Sequence, residues 1–160
     1  MKIGIIRYPG SNCDFDTQRY FGGFFIWHKE TSFEVLTDLD LLIIPGGFAF
    51  GDRYYNKATE EYTISPGTMA IKSPVTVIIK EAAKRKIPIL GICNGFQILT
   101  ETGLLPGVLL RNKKLRFISK NVFLKVVNVN NKFCLNYNKK NIITLPIAHN
   151  EGNYFANNEL

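Results

Sequence analysis

The stretch Pro88–Gly103, PILGICNGFQILTETG, decides how this chain folds. Ile87–Ile92 is a short, nearly continuous apolar run, as expected for a strand buried on both faces of a sheet. Gly91-Ile92-Cys93-Asn94-Gly95 then turns sharply into a helical pattern over Asn94–Thr102, which Gly103 is placed to cap. Gly-x-Cys-x-Gly between a strand and a helix is the pattern of a nucleophile elbow, with cysteine in the place of serine. Small residues at 91 and 95 let the helix approach the strand. The helix N-terminus favours a thiolate at Cys93, and the Asn94 N–H can point at a developing oxyanion. Cys93 is therefore the expected nucleophile.

Upstream, the same alternation of strand and helix recurs. Lys2–Ile6 reads as a first strand, followed by the turn YPGSNCD and a short helix through Arg19, capped by Asn12 or Ser11. Gly22-Gly23 breaks the chain. Phe24–His28 reads as a second strand, Leu39–Gly47 as a third, and Phe48 to about Lys72 as a long polar loop. Ser73 is placed to cap the next helix, with Pro74 in its first turn. Val75, Ile78, Ile79, Ala82 and Ala83 share one face of it. Strand and helix in alternation predict a mostly parallel sheet, whose sites form at the carboxyl ends of the strands. Three loops meet there: YPGSN, PGGFAFGD and GICNG. Gly46 and Gly47, after the third strand, are the natural second source of an oxyanion-binding N–H, since glycine admits a substrate closely. In the C-terminal third, NVFLKVVNVN, KFCLNY and NIITLPIAH read as successive antiparallel strands joined by Asn-rich turns.

At 160 residues, 46% hydrophobic and 21% charged, the chain suits a single domain, 1–160, with a real core. No apolar run approaches the roughly 20 residues that span a bilayer. Three separated cysteines and no signal-like leader fit a cytoplasmic protein with free thiols. Cys134 reads as a strand core residue and Cys13 as a turn residue near the site. The net charge is +7, with nine Lys or Arg and no Asp or Glu from Arg111 to Lys140. That stretch reads as a Lys/Asn compositional bias, with no nucleic-acid-binding motif and no expected nucleic-acid or membrane partner. No metal-ligand spacing is present.

A cysteine nucleophile calls for an imidazole, and the chain has two. His28 reads as structural or as part of the site rim. His149 lies in PIAHNEG with Glu151 two residues on, and an extended segment puts both side chains on one face. They suggest a base and its orienting carboxylate.

The stretches YPGSNCD, WHKET, LIIPGGFAFGD, SPGTMAIKSPV, GICNGFQILTETGLLPGVLLRN, LRFI and PIAHNEG together resemble the glutamine amidotransferase subunits of phosphoribosylformylglycinamidine synthase, of the class I (triad-type) amidotransferase family. The match runs over essentially the whole chain. The resemblance implies a flavodoxin-like α/β fold. It implies that Cys93 attacks the side-chain amide of glutamine, releasing ammonia through a γ-glutamyl thioester. Gly47 and Asn94 would form the oxyanion hole by backbone N–H groups, and Gln97 would help hold glutamine. No cofactor is implied in this chain. Its partner would be a synthetase subunit that uses ATP and Mg²⁺ to convert formylglycinamide ribonucleotide to the amidine.

Two departures accompany the match, one being the short link from Asp14 to Phe24, which leaves a curtailed first helix. The family carries its base and orienting carboxylate in a Pro-His-Pro-Glu motif near the end of a longer domain, and no stretch of these 160 residues matches it. His149 and Glu151 align with an earlier family segment that approaches the site, so the resemblance makes them site-lining or structural rather than the base pair. The domain is expected to lack the family's C-terminal His/Glu segment and to hydrolyse glutamine poorly by itself. The alternative is a truncated, catalytically impaired, non-enzymatic module. A related cysteine-elbow hydrolase of the protease or chaperone type is disfavoured, because those enzymes place His where Asn94 stands.

Overall fold

The computed structural model describes residues 1–51, 55–56, 61–62 and 66–156. The chain forms two compact units: Met1–Leu110 with the segment from Tyr154, and Arg111–Asn153.

The first unit is built on four parallel strands in the order β2-β1-β3-β6: β1 (Ile3–Arg7), β2 (Phe24–Trp27), β3 (Leu41–Ile44) and β6 (Ile89–Gly91). Between β3 and β6, β4 (Tyr55–Asn56) and β5 (Glu61–Tyr62) make a small antiparallel pair. The register is Gly4 with Phe24, Ile5 with Ile43, and Leu42 with Ile89. This is the mostly parallel α/β sheet expected from the strand-helix alternation. β2, β3 and β6 are shorter than their expected runs, whereas β1 is shifted by one residue to include Arg7.

Period-2 alternation divides the apolar runs between two covers. Ile6, Leu42 and Ile44 pack with α2 (Thr76–Lys84) and α3 (Asn94–Glu101) through Ile78, Ile79, Ala82, Ile98 and Leu99. Ile3, Ile5, Leu41 and Ile43 face the other way, against Phe21 of α1 (Asp14–Phe21) and Phe25. Most of these side chains are fully buried, and each contributes about 2 kcal/mol of apolar transfer. The expected face of α2 is seen, with Ala83 only partly buried.

Two helix starts differ from expectation. The residue preceding α1 is Cys13, which makes no side-chain cap, and α1 runs to Phe21, where Gly22 at φ 73° ends it. The Ser11 hydroxyl accepts from the Tyr8 N–H instead (3.2 Å), closing the preceding turn. Ser73 does not cap α2 by its side chain. The helix starts after Val75, and the Ser73 hydroxyl donates to the His28 carbonyl (2.7 Å). Of the expected loop 48–72, residues 52–54, 57–60 and 63–65 lie outside the described residues. The rest holds β4, β5 and short 3₁₀ turns at Ala49–Gly51 and Ala70–Lys72. A further 3₁₀ turn, Phe33–Leu36, is capped by the Ser32 hydroxyl. β7 (Val108–Leu110) pairs with β10 (Asn153–Phe155), a pairing the sequence pattern did not suggest.

The second unit is an antiparallel ribbon of β8 (Ile118–Lys125) and β9 (Ile142–His149), with Ile118 opposite His149 and Lys125 opposite Ile142. β8 begins three residues before the expected strand and ends five before its expected end. The expected strand 132–137 is absent. Those residues form turns, because Asn128 and Asn131 accept backbone N–H bonds from Asn130 and Phe133 and close the chain locally. Cys134 is therefore a half-buried turn residue rather than a strand core residue.

Candidate active site

β3 and β6 lie side by side, and the turns leaving their carboxyl ends carry Gly46-Gly47 and Cys93. Cys93 has φ 52° and ψ −108°, a strained conformation for a residue with a Cβ. The strain is held in place from below. The Ile92 N–H donates to the Ile44 carbonyl (3.0 Å), and the Cys93 carbonyl accepts from Phe96 N–H (3.0 Å) and Gln97 N–H (3.2 Å) as α3 begins. Neither flanking glycine can be replaced without displacement. A Cβ on Gly91 would stand 2.6 Å from Leu99 Cδ1 and 2.7 Å from the Gly95 carbonyl, and one on Gly95 would fall on the Ile44 carbonyl oxygen. Close helix-strand approach thus leaves the Cys93 thiol at the exposed tip of the turn. At the far end of α3, Gly103 (φ 73°) donates to the Thr100 carbonyl and Leu104 N–H to Leu99, the paired bonds of a Schellman motif.

The three glycine-bearing loops are stitched together. Phe48 N–H donates to the Gly10 carbonyl (2.8 Å), Phe50 N–H to Pro9 (2.7 Å), and Cys13 N–H to Gly46 (3.4 Å). Gly47 has φ 125°, and a Cβ there would meet the Asn12 nitrogen. Phe50 is itself at φ 54°, and its ring packs between Tyr8 (5.9 Å) and His28 (5.2 Å). Gly46 lies between two sulfurs' side chains: a Cβ on it would be 3.4 Å from Cys93 Cβ and 3.7 Å from Cys13 Sγ. Burial, then the Asp16 carboxylate, Cys93 and Asp14, push the Cys13 thiol up from its ordinary value, which keeps it protonated at neutral pH.

Asn94 is buried, with 2% of its surface exposed. Its Oδ1 accepts from the Ala49 N–H (3.1 Å) and its Nδ2 donates to Gln97 Oε1 (3.1 Å). Cys93, Gly46, Gly47, Asn94 and Gln97 thus gather on adjoining turns.

The histidines lie elsewhere in the bonding pattern. His28 Nδ1 is 3.0 Å from the Ser73 hydroxyl, and since that hydroxyl donates to the His28 carbonyl, the ring N–H is the donor. Burial, then Lys29, lower the His28 imidazole from its ordinary value. In the second unit, His149 ends β9, so Glu151 lies past the strand, and the expected sharing of a face does not hold. Asn112 orients His149 instead. Its Nδ2 donates to the Arg116 (2.8 Å) and His149 (2.9 Å) carbonyls, and its Oδ1 accepts from His149 Nδ1 (2.9 Å) and Gly152 N–H (3.1 Å). Glu151 stands 4.0 Å from the Arg111 guanidinium. Asn112, buried and fully bonded, carried no signal in the sequence beyond its place in the LLRN stretch.

The family model for the CobB/CobQ-like glutamine amidotransferase domain matches residues 1–160. The chain belongs to this glutamine amidotransferase family. It is 46% identical over 160 residues to phosphoribosylformylglycinamidine synthase subunit PurQ of Helicobacter hepaticus, covering 97% of this chain and 67% of that protein. The subunit of the same name from Zymomonas mobilis is 44% identical, with 98% and 68% covered. Among solved structures, the PurLQS structure from Thermotoga maritima matches with a TM-score of 0.83 at 36% identity, over 99% of this chain and 70% of that one. The amidotransferase chain spans about two thirds of the length of these relatives. The expected flavodoxin-like amidotransferase fold is the fold observed.

Proposed function

We propose that this chain is the glutaminase subunit of a phosphoribosylformylglycinamidine synthase, supplying ammonia from glutamine for purine biosynthesis. The observation that carries the reading is the strained, exposed Cys93 at the head of α3 beside the glycine turn after β3, in a chain of the amidotransferase family.

In the mechanism, the Cys93 sulfur bonds to the side-chain carbonyl carbon of glutamine. The Gly47 and Asn94 N–H groups take up the charge that develops on the carbonyl oxygen. The C–N bond breaks, the proton given up by the Cys93 thiol ends on the leaving nitrogen so that it departs as ammonia, and a γ-glutamyl thioester remains. Water then adds to the thioester and releases glutamate and the thiol. Gln97 helps hold the substrate. His149 is not the base in this reading, because the family's base stands in a Pro-His-Pro-Glu motif that the PIAHNEG stretch does not match. The partner is a synthetase subunit, where ATP and Mg²⁺ drive amidine formation; the PurLQS assembly of Thermotoga maritima supports that pairing.

Labelling with a glutamine-mimicking electrophile tests the reading. Cys93 is modified in preference to Cys13, and synthetase accelerates the modification. Equal labelling of both thiols, or labelling that glutamine does not compete away, overturns it. No Pro-His-Pro-Glu motif stands within residues 1–160, so glutamine hydrolysis by these residues alone is slower by orders of magnitude than that of an amidotransferase that carries the motif. Robust hydrolysis by the chain alone, abolished by Cys93→Ala, overturns that part.

A further inference from the structure

The turn after β3 is conformationally costly. Gly47 (φ 125°), Phe50 (φ 54°) and Gly51 (φ 79°) all sit at positive φ within five residues. Such a segment keeps one shape only when its surroundings over-determine it. Two of its supports come from the first loop, through the Gly10 and Pro9 carbonyls. The third comes from the nucleophile's own neighbour, through Asn94 Oδ1 and the Ala49 N–H.

The chemistry of that third bond reaches further. The Ala49 N–H can only donate, so the Asn94 atom facing it is the oxygen. The Asn94 Nδ2 is then turned toward Gln97, which must present Oε1 to it. One backbone N–H therefore orders two side-chain amides in series and turns the Gln97 Nε2 away from Asn94.

We propose that the Asn94 side chain is a positioning residue. It locks the turn 46–51 to the nucleophile elbow and sets which end of the Gln97 amide faces away from Asn94. The role is separate from that of the Asn94 backbone N–H, and it rests on the glutaminase reading above for its kinetic consequence. A loosened turn misplaces the Gly47 N–H relative to the oxygen that becomes charged, so the loss falls on the transition state more than on the bound substrate.

The test compares Asn94→Ala with Asn94→Asp, both in the chain bound to its synthetase and in the chain alone. Asn94→Ala removes both hydrogen bonds. Amide exchange across 46–51 speeds up about 10-fold or more, and kcat for glutamine hydrolysis falls by about 10- to 100-fold with KM changed less than about threefold, a smaller loss than deleting an oxyanion donor. Asn94→Asp still accepts from the Ala49 N–H but no longer donates to Gln97, whose amide must turn over. Exchange at 46–51 then stays near the wild-type rate while KM for glutamine rises. Should Asn94→Ala melt below the assay temperature, Asn94→Ser, whose shorter acceptor falls short of Ala49, carries the same expectation. Unchanged exchange at 46–51 in a folded Asn94→Ala variant overturns the tether. Wild-type kcat with fast exchange overturns its importance for the reaction. Absence of glutamine turnover in the wild-type complex refutes the glutaminase reading instead, and the exchange rates still decide the tether.

Discussion

Tyr8 buries a hydroxyl that no described residue answers. The side chain is 2% exposed at the end of β1, and burial pushes its phenol well up from the ordinary value. A buried hydroxyl without a partner costs about 1–3 kcal/mol, whereas the ring's packing against Phe50 is favourable. Tyr8→Phe is therefore expected to stabilise the protein by about 1 kcal/mol, read as a rise in the urea midpoint at constant m-value. A lowered midpoint refutes the expectation. At this scale the sequence was unevenly legible. The tight turn that carries Cys93 was legible, because Gly-x-Cys-x-Gly at a strand-helix junction has a local steric cause, seen directly in what a Cβ on Gly91 or Gly95 would strike. The same-face spacing of His149 and Glu151 did not carry over, because it assumed an extended segment through Glu151 and the strand stops at His149. Asn112 and the side-chain role of Asn94 left no trace, since both depend on partners distant in sequence: His149 for one and Ala49 for the other.

Two glycines of the α3 region separate two causes at the scale of the element. Gly95 is needed for space, because its α-carbon lies against the Ile44 carbonyl. Gly103 is needed for its backbone, at φ 73° with nothing within 4 Å of a Cβ. Gly103→Ala is expected to cost about 1 kcal/mol, the conformational term alone. Gly95→Ala pushes the helix off β3 and costs at least about 3 kcal/mol, in the range of severe overpacking. Thermal melts of the two variants check the ranking, and equal losses refute it. Periodicity located α2, α3 and the parallel strands because burial on one face leaves a repeating mark. The caps were less legible: Ser73 looked like an N-cap, but its hydroxyl is taken by His28, 45 residues away. The segment 132–137 had strand-forming residues, yet local Asn side chains satisfied the backbone first.

Across the whole molecule, burial is concentrated in the parallel sheet. All four residues of β3 and four of the five in β1 are buried, whereas no residue of β8 or β9 is. Amides that open only with the core exchange at the global rate, and those in exposed ribbons open sooner. Native-state hydrogen exchange is thus expected to be at least about 10-fold slower for 41–44 than for 118–125. Equal protection in the two refutes the ranking. The same ordering bears on how long the site lasts. Asn94 and Gly95 form an Asn-Gly pair, a sequence prone to spontaneous deamidation when the glycine nitrogen is free to attack the asparagine side chain. In the folded chain that nitrogen donates to the Ile92 carbonyl at 2.8 Å, and the side-chain amide is held by Ala49 and Gln97. Each excursion to the unfolded state removes this protection. The chemical ageing of the elbow, by conversion of Asn94 to aspartate or isoaspartate, is therefore timed by how often the parallel core opens.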